Sequence, residues 1–80
     1  MPYRVSNLSR RVDREIAALP PYIYPRIQEA IRLLTREPRP LHCVKIDGDS
    51  YRIRVGRYRV IYEVDDAAQE VIITHVAIRN

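Results

Sequence analysis

Eighty residues leave room for one domain, residues 1–80, around one modest core, and exclude a second folded unit or a long linker. A hydrophobic fraction of 46% beside a charged fraction of 30% excludes a disordered chain, and the formal net charge of +4 points to an anionic partner. That charge is almost wholly guanidinium, because Lys45 is the only lysine among 14 basic residues; guanidinium pairs bidentately with phosphate and stays charged in any environment.

The lone Cys43 cannot close an internal disulfide, and His42 and His75 fall short of a ligand set for structural zinc. A reducing, cytoplasmic setting with no metal or other cofactor is the expectation. Residues 1–7 hold no apolar run of signal-peptide length, and no stretch of about 18 apolar residues occurs, so neither secretion nor a membrane partner is expected.

Pro2-Tyr3-Arg4-Val5 alternates apolar and polar residues and reads as an opening strand. Ser6 and Asn7 supply capping side chains for an amphipathic helix from about Leu8 to Leu19. Leu8, Val12, Ile16 and Leu19 form its apolar stripe, and Arg10, Arg11, Asp13, Arg14 and Glu15 its polar face. Pro20-Pro21 ends this helix, since proline lacks an amide donor and restricts the residue before it. A second helix starts between Tyr22 and Pro25 and runs to about Arg36, with Ile27, Ala30, Ile31 and Leu34 on one face, until Pro38-Arg39-Pro40 stops it. After Pro40 the period changes from 3.6 to 2, giving strands at His42–Ile46, Tyr51–Val55, Tyr58–Val64 and Val71–Ala77, joined by Gly- and Asp-bearing turns. The expected class is α+β: an N-terminal strand, then an antiparallel helix hairpin packed on one face of a mostly antiparallel β-meander sheet.

The turn Gly56-Arg57 allows two strands to be registered from sequence alone. A two-residue loop pairs Val55 with Tyr58 and, counting outward, Arg54 with Arg59, Ile53 with Val60, Arg52 with Ile61 and Tyr51 with Tyr62. Tyr51, Ile53, Val55, Tyr58, Val60 and Tyr62 then form the face for the helices, and Arg52, Arg54 and Arg59 converge on the other. Like charges opposed across a sheet repel. Either Glu63 and solvent offset the repulsion, or a bound polyphosphate backbone turns it into attraction, and the second reading is the stronger. A phosphodiester held there can be cleaved by its own ribose 2′-hydroxyl while guanidiniums stabilise the developing charge. Arginine is a poor base at neutral pH, so proton transfer needs another group. His75 is a candidate for that group, but the same alternation carried along the last strand puts it on the helix-packed face near Val60, where a core or edge residue is the stronger reading.

Taken together, the Tyr3 strand, the helix hairpin broken at Leu19-Pro20, the Pro38 exit, Lys45-Ile46-Asp47-Gly48, and Tyr51-Arg52-Ile53-Arg54-Val55-Gly56 followed by Tyr58-Arg59-Val60-Ile61-Tyr62-Glu63-Val64 resemble the RelE/ParE superfamily of toxin–antitoxin toxins, in particular its RelE-like mRNA interferases. The resemblance covers nearly the whole chain. It implies a toxin that enters the ribosomal A site and cleaves translated mRNA without a metal. The implied partners are a cognate antitoxin, the ribosome and mRNA, in a homodimer or a toxin–antitoxin hetero-oligomer. By position, Arg52 and Arg54 match the paired basic residues that hold the RNA backbone and take part in proton transfer. Arg59 matches the main phosphate-stabilising arginine, and Arg79 a further basic residue near the scissile phosphate. Lys45 and the turn residue Arg57 join Arg52, Arg54 and Arg59 as the implied RNA-binding set. Two departures stand out: Ala77-Ile78 replaces the Gly-His or Gly-Lys of relatives, and Asn80 comes before the tail in which several relatives carry a tyrosine used in cleavage. They leave as alternatives a ParE-like gyrase inhibitor that performs no chemistry, or a truncated toxin that only binds its antitoxin.

Overall fold

Strand β1 (Arg4–Asn7) and helices α1 (Arg10–Ala17) and α2 (Tyr24–Leu33) occupy the first half of the chain. Strands β2 (Val44–Asp47), β3 (Ser50–Val55), β4 (Tyr58–Asp65) and β5 (Glu70–Ile78) occupy the second. The computed structural model describes residues 2–79, so the expectation attached to the end of the chain at Asn80 lies outside them. The strands form one sheet in the order β1-β5-β4-β3-β2, antiparallel except for the parallel β1–β5 pair. This is the α+β arrangement the sequence implied. The helix hairpin carries the chain from the β1 edge of the sheet to the β2 edge and covers one face on the way.

Helix α1 buries Val12 and Ile16, four residues apart and so on one stripe. It begins two residues later than expected. Ser6 and Asn7 lie in β1, Ser9 is the N-cap, and the Leu8 amide donates to the Ile73 carbonyl at 2.9 Å, which keeps Leu8 on the strand path and leaves its side chain 61% exposed. Helix α2 carries Pro25 in its first turn, where a missing amide costs nothing, and buries Ile27 and Ile31. Burying each such side chain stabilises the fold by about 1.5–3 kcal/mol before entropy is counted. Past Leu33 the amides of Leu34, Thr35 and Arg36 donate three residues back, a tighter turn that ends the helix short of Arg36 and ahead of Pro38.

The core lies between this hairpin and the inner sheet face, where Tyr51, Ile53, Val60, Tyr62, Val64, Val71, Ile73 and Val76 are buried. Tyr62 anchors the chain exit from α2. Its hydroxyl donates to the Pro38 carbonyl at 2.7 Å and its ring stacks on Tyr51 with centroids 5.9 Å apart. Burial first, then the neighbouring Cys43, hold the Tyr62 hydroxyl well above the ordinary tyrosine range. Arg39 lies over the Tyr51 ring, donates to the Tyr51 hydroxyl at 2.8 Å, and grips Asp66 with two bonds of 3.2 and 2.9 Å. The Tyr3 hydroxyl donates to the same carboxylate at 2.6 Å. Asp66 therefore joins three distant segments.

Candidate functional site

The β3–β4 hairpin has the register the sequence implied, from Val55–Tyr58 at the turn through Arg54–Arg59, Ile53–Val60 and Arg52–Ile61 to Tyr51–Tyr62. Gly56 takes φ +59 while Arg57 keeps a negative φ, the pattern of a type II′ turn. A β-carbon at Gly56 would meet the Ile23 Cδ1 at 3.2 Å, so the turn also packs closely on the helix layer. Arg52, Arg54 and Arg59 consequently share the outer face, which no helix covers.

Arg79 joins them. Ala77 stands opposite Arg59 and Ile78 opposite Tyr58, so the next residue returns to the outer side, where its amide donates to the Arg57 carbonyl at 2.7 Å. The electrostatics report the same convergence: Arg52 first, then Arg79, burial and Arg59 hold the Arg54 guanidinium below its ordinary value. Among the described residues none of these four arginines has an ion-pair partner, and Glu63, exposed on the same face, pairs with none of them. The Nε atoms of Arg52 and Arg59 are buried without a hydrogen-bond partner among the described residues. Buried donors are rarely left without a partner, whether protein, water or a bound anion.

Arg57 sits exposed at the tip of the turn, at the end of this cluster. The register sets Lys45 apart from this cluster. It stands opposite Tyr51, on the helix-side parity of the edge strand, and does not join the arginines. The parity of His75 is corrected. β5 carries a bulge, with Ile61 opposite His75 but Tyr62 opposite Ile73, so Thr74 is the extra residue and both polar side chains fall between inward-facing Ile73 and Val76. His75 thus shares the side of Ile61 and Arg52. The adjacent Thr74-His75 pair, which breaks apolar alternation, was the signal in the sequence. Glu15, read there as solvated helix surface, lies 3.0 Å from His75 Nδ1 and accepts from the Val76 amide at 2.9 Å.

On the opposite side of the sheet, Ala30, Leu33 and Leu34 of the α2 segment and Ile53 and Val55 of β3 line an apolar cleft of about 660 Å³. Among the described residues no group of three His, Cys, Asp or Glu side chains could hold a metal ion, and no helix is long and apolar enough to cross a membrane.

The model of a family described as the ParE toxin of type II toxin–antitoxin system, parDE, matches residues 7–80. No curated protein sequence matches the chain. Among solved structures, the archaeal RelE–RelB complex from Pyrococcus horikoshii is 32% identical, with a TM-score of 0.84, over 100% of this chain and 98% of that one. The RelBE2 toxin–antitoxin complex from Mycobacterium tuberculosis is 30% identical, with a TM-score of 0.82, over 99% and 93%. The isolated Escherichia coli RelE toxin, at 22% identity over 98% and 85%, shares the fold with a TM-score of 0.84. The match of a ParE family model to nearly every residue, and of archaeal RelE to the whole length, shows that the chain belongs to the RelE/ParE superfamily of toxins of type II toxin–antitoxin systems.

Proposed function

We propose that this toxin is a metal-independent mRNA endoribonuclease that acts in the cytoplasm on ribosome-bound transcripts. The observation that carries the reading is the convergence of Arg52, Arg54, Arg59 and Arg79 on the open sheet face, without counter-ions among the described residues and with two buried Nε atoms unsatisfied. In this reading the ribose 2′-hydroxyl attacks the adjacent phosphorus, and guanidiniums stabilise the charge that develops on the phosphoryl oxygens. Arg59, backed by Arg79, faces the scissile phosphate. Arg52, Arg54 and Arg57 hold the flanking backbone. A cognate antitoxin keeps the protein inactive, in line with the RelE–RelB and RelBE2 complexes of its relatives. Exposed apolar side chains such as Leu33, 50% accessible beside the cleft, are surface that such a partner would cover.

A second reading, inhibition of DNA gyrase without chemistry, is favoured by the family model, which is that of ParE. Primer-extension mapping of a translated mRNA after induction of the toxin separates the two. New ends within codons, lost with Arg59→Ala, are expected for the nuclease. Growth arrest without such ends would transfer the assignment to gyrase, and neither effect would leave a protein that binds its antitoxin and is not toxic.

A further inference from the structure

Arginines can neutralise a phosphorane, but at neutral pH they do not give up protons, so the face needs a group that protonates the departing oxygen. We infer that His75, held by Glu15, is that group: the general acid for the 5′ leaving oxygen of the scissile phosphodiester. The inference rests on the nuclease reading above.

The β5 bulge is what makes this geometry available. Strict alternation from Ile73 would turn His75 into the core, whereas the extra residue Thr74 sets it opposite Ile61 on the outer face and returns Val76 to the inside opposite Val60. Ile61 is then the common neighbour of three basic side chains. Arg52 flanks it across the β3–β4 ladder and His75 across the β4–β5 ladder, while Arg59 lies two residues along β4, about 7 Å away at a rise of about 3.4 Å per residue. His75 thus borders the phosphate site from the β5 side.

Glu15 lies beside one edge of its ring. Nδ1 is buried and lies 3.0 Å from Glu15 Oε2, an ion-pair distance without hydrogen-bond alignment, while the side chain as a whole is 32% exposed. Nε2 makes no hydrogen bond among the described residues and is not among the buried polar atoms, so the open edge of the ring carries it. The carboxylate is fixed in turn, because Glu15 Oε1 accepts from the Val76 amide at 2.9 Å. The charged groups around the imidazole are Glu15 and Arg11 of α1, Arg52 of β3 and Arg59 of β4; Arg11 lies 3.7 Å from Glu15 and reaches the Thr74 carbonyl at 3.4 Å. An imidazole with a carboxylate beside one nitrogen and the other nitrogen free at the open edge of the ring is suited to hand a proton to a group bound there.

The step balances. The 2′-oxygen forms a bond to phosphorus as its proton passes to solvent water, the P–O5′ bond breaks, and O5′ takes the Nε2 proton. The products are a 2′,3′-cyclic phosphate and a 5′-hydroxyl. Glu15 touches no reacting atom and acts as a positioning residue.

The test uses antitoxin-free protein on ribosomes programmed with a short mRNA, in two forms, one natural and one with sulfur replacing the 5′-bridging oxygen at the scissile position. A thiolate leaves without protonation. For wild type, kcat/KM on the oxygen substrate should fall as pH rises through the histidine range, and this dependence should disappear on the sulfur substrate. His75→Gln should lose at least about tenfold on the oxygen substrate and recover on the sulfur one. Arg59→Ala should be impaired on both. Glu15→Gln should shift the pH dependence of the oxygen reaction without abolishing cleavage. If Arg59→Ala is inactive but His75→Gln cleaves both substrates like wild type, or if the wild-type profile is the same for oxygen and sulfur, His75 is not the acid and the nuclease reading stands. If wild type cleaves neither substrate, both fall. The wild-type comparison needs no variant to fold.

Discussion

Arg54 and Arg59 face each other across the β3–β4 ladder with no carboxylate paired to either among the described residues. The pair opposes folding in the free protein, because like charges set across a sheet repel. Arg59→Ala should therefore lower cleavage by well over tenfold, equivalent to more than about 1.4 kcal/mol of transition-state stabilisation, while leaving the melting temperature unchanged or slightly raised. Single-turnover cleavage on programmed ribosomes beside a thermal melt checks both halves. A lost melting transition would make the residue structural instead.

Arg52→Ala and Arg54→Ala act on binding more than on chemistry. Each removes a cation from the outer face, so RNA affinity should drop and its logarithm should fall less steeply with the logarithm of salt concentration, by somewhat less than one unit of slope per contact. Fluorescence titration with a short RNA at several salt concentrations measures this. An unchanged slope in both variants would mark a solvated charged face.

Asp66 ties acid stability to the junction of Tyr3, Arg39 and the β4–β5 turn. Hydrogen bonds from Arg39 first, then Tyr3, hold its carboxyl below the usual value of 3.8. A carboxyl depressed in the folded state contributes stability above its unfolded value and loses it as pH falls through the folded one. Asp66→Asn should thus melt at a lower temperature than wild type at neutral pH, and the two curves should converge in strong acid. Melting temperatures taken from pH 7 downward decide the matter, since a constant offset would mean the carboxylate charge is irrelevant.

Gly56→Ala should destabilise the fold by about 1 kcal/mol or more, because φ +59 strains any L side chain and the new methyl lies 3.2 Å from Ile23 Cδ1. The mutual placement of Arg54 and Arg59 depends on that turn, so cleavage should suffer even in the folded fraction. Chemical denaturation combined with activity per folded molecule separates the two losses.

The arginine face was legible in the sequence because a two-residue turn fixes a register that can be counted outward from Gly56. Helix positions were legible too, since Val12, Ile16, Ile27 and Ile31 repeat at helical spacing. Their ends were less so: Leu8 continued the apolar stripe, yet its amide pairs with Ile73 and draws it onto the strand path. The parity of β5 was lost because strict alternation was carried straight through the adjacent polar pair Thr74-His75, where the bulge lies. Glu15 looked like ordinary helix surface, because a contact made 61 residues further along leaves no local trace. Lys45 stands opposite Tyr51 on an edge strand, a placement that its run of residues did not disclose.

β1 stops at Asn7, opposite Ile73, although β5 runs on to Ile78. A bare edge of this kind invites another chain to add a strand. Here α1 occupies it: Arg11 reaches the Thr74 carbonyl and Glu15 takes the Val76 amide, so two groups that a neighbouring strand would use are already engaged by side chains. The helix thereby steers self-association away from the rim beside His75. Arg11→Ala combined with Glu15→Ala should expose those groups and produce concentration-dependent oligomers by light scattering, whereas the wild-type protein should add strands only at its β2 margin.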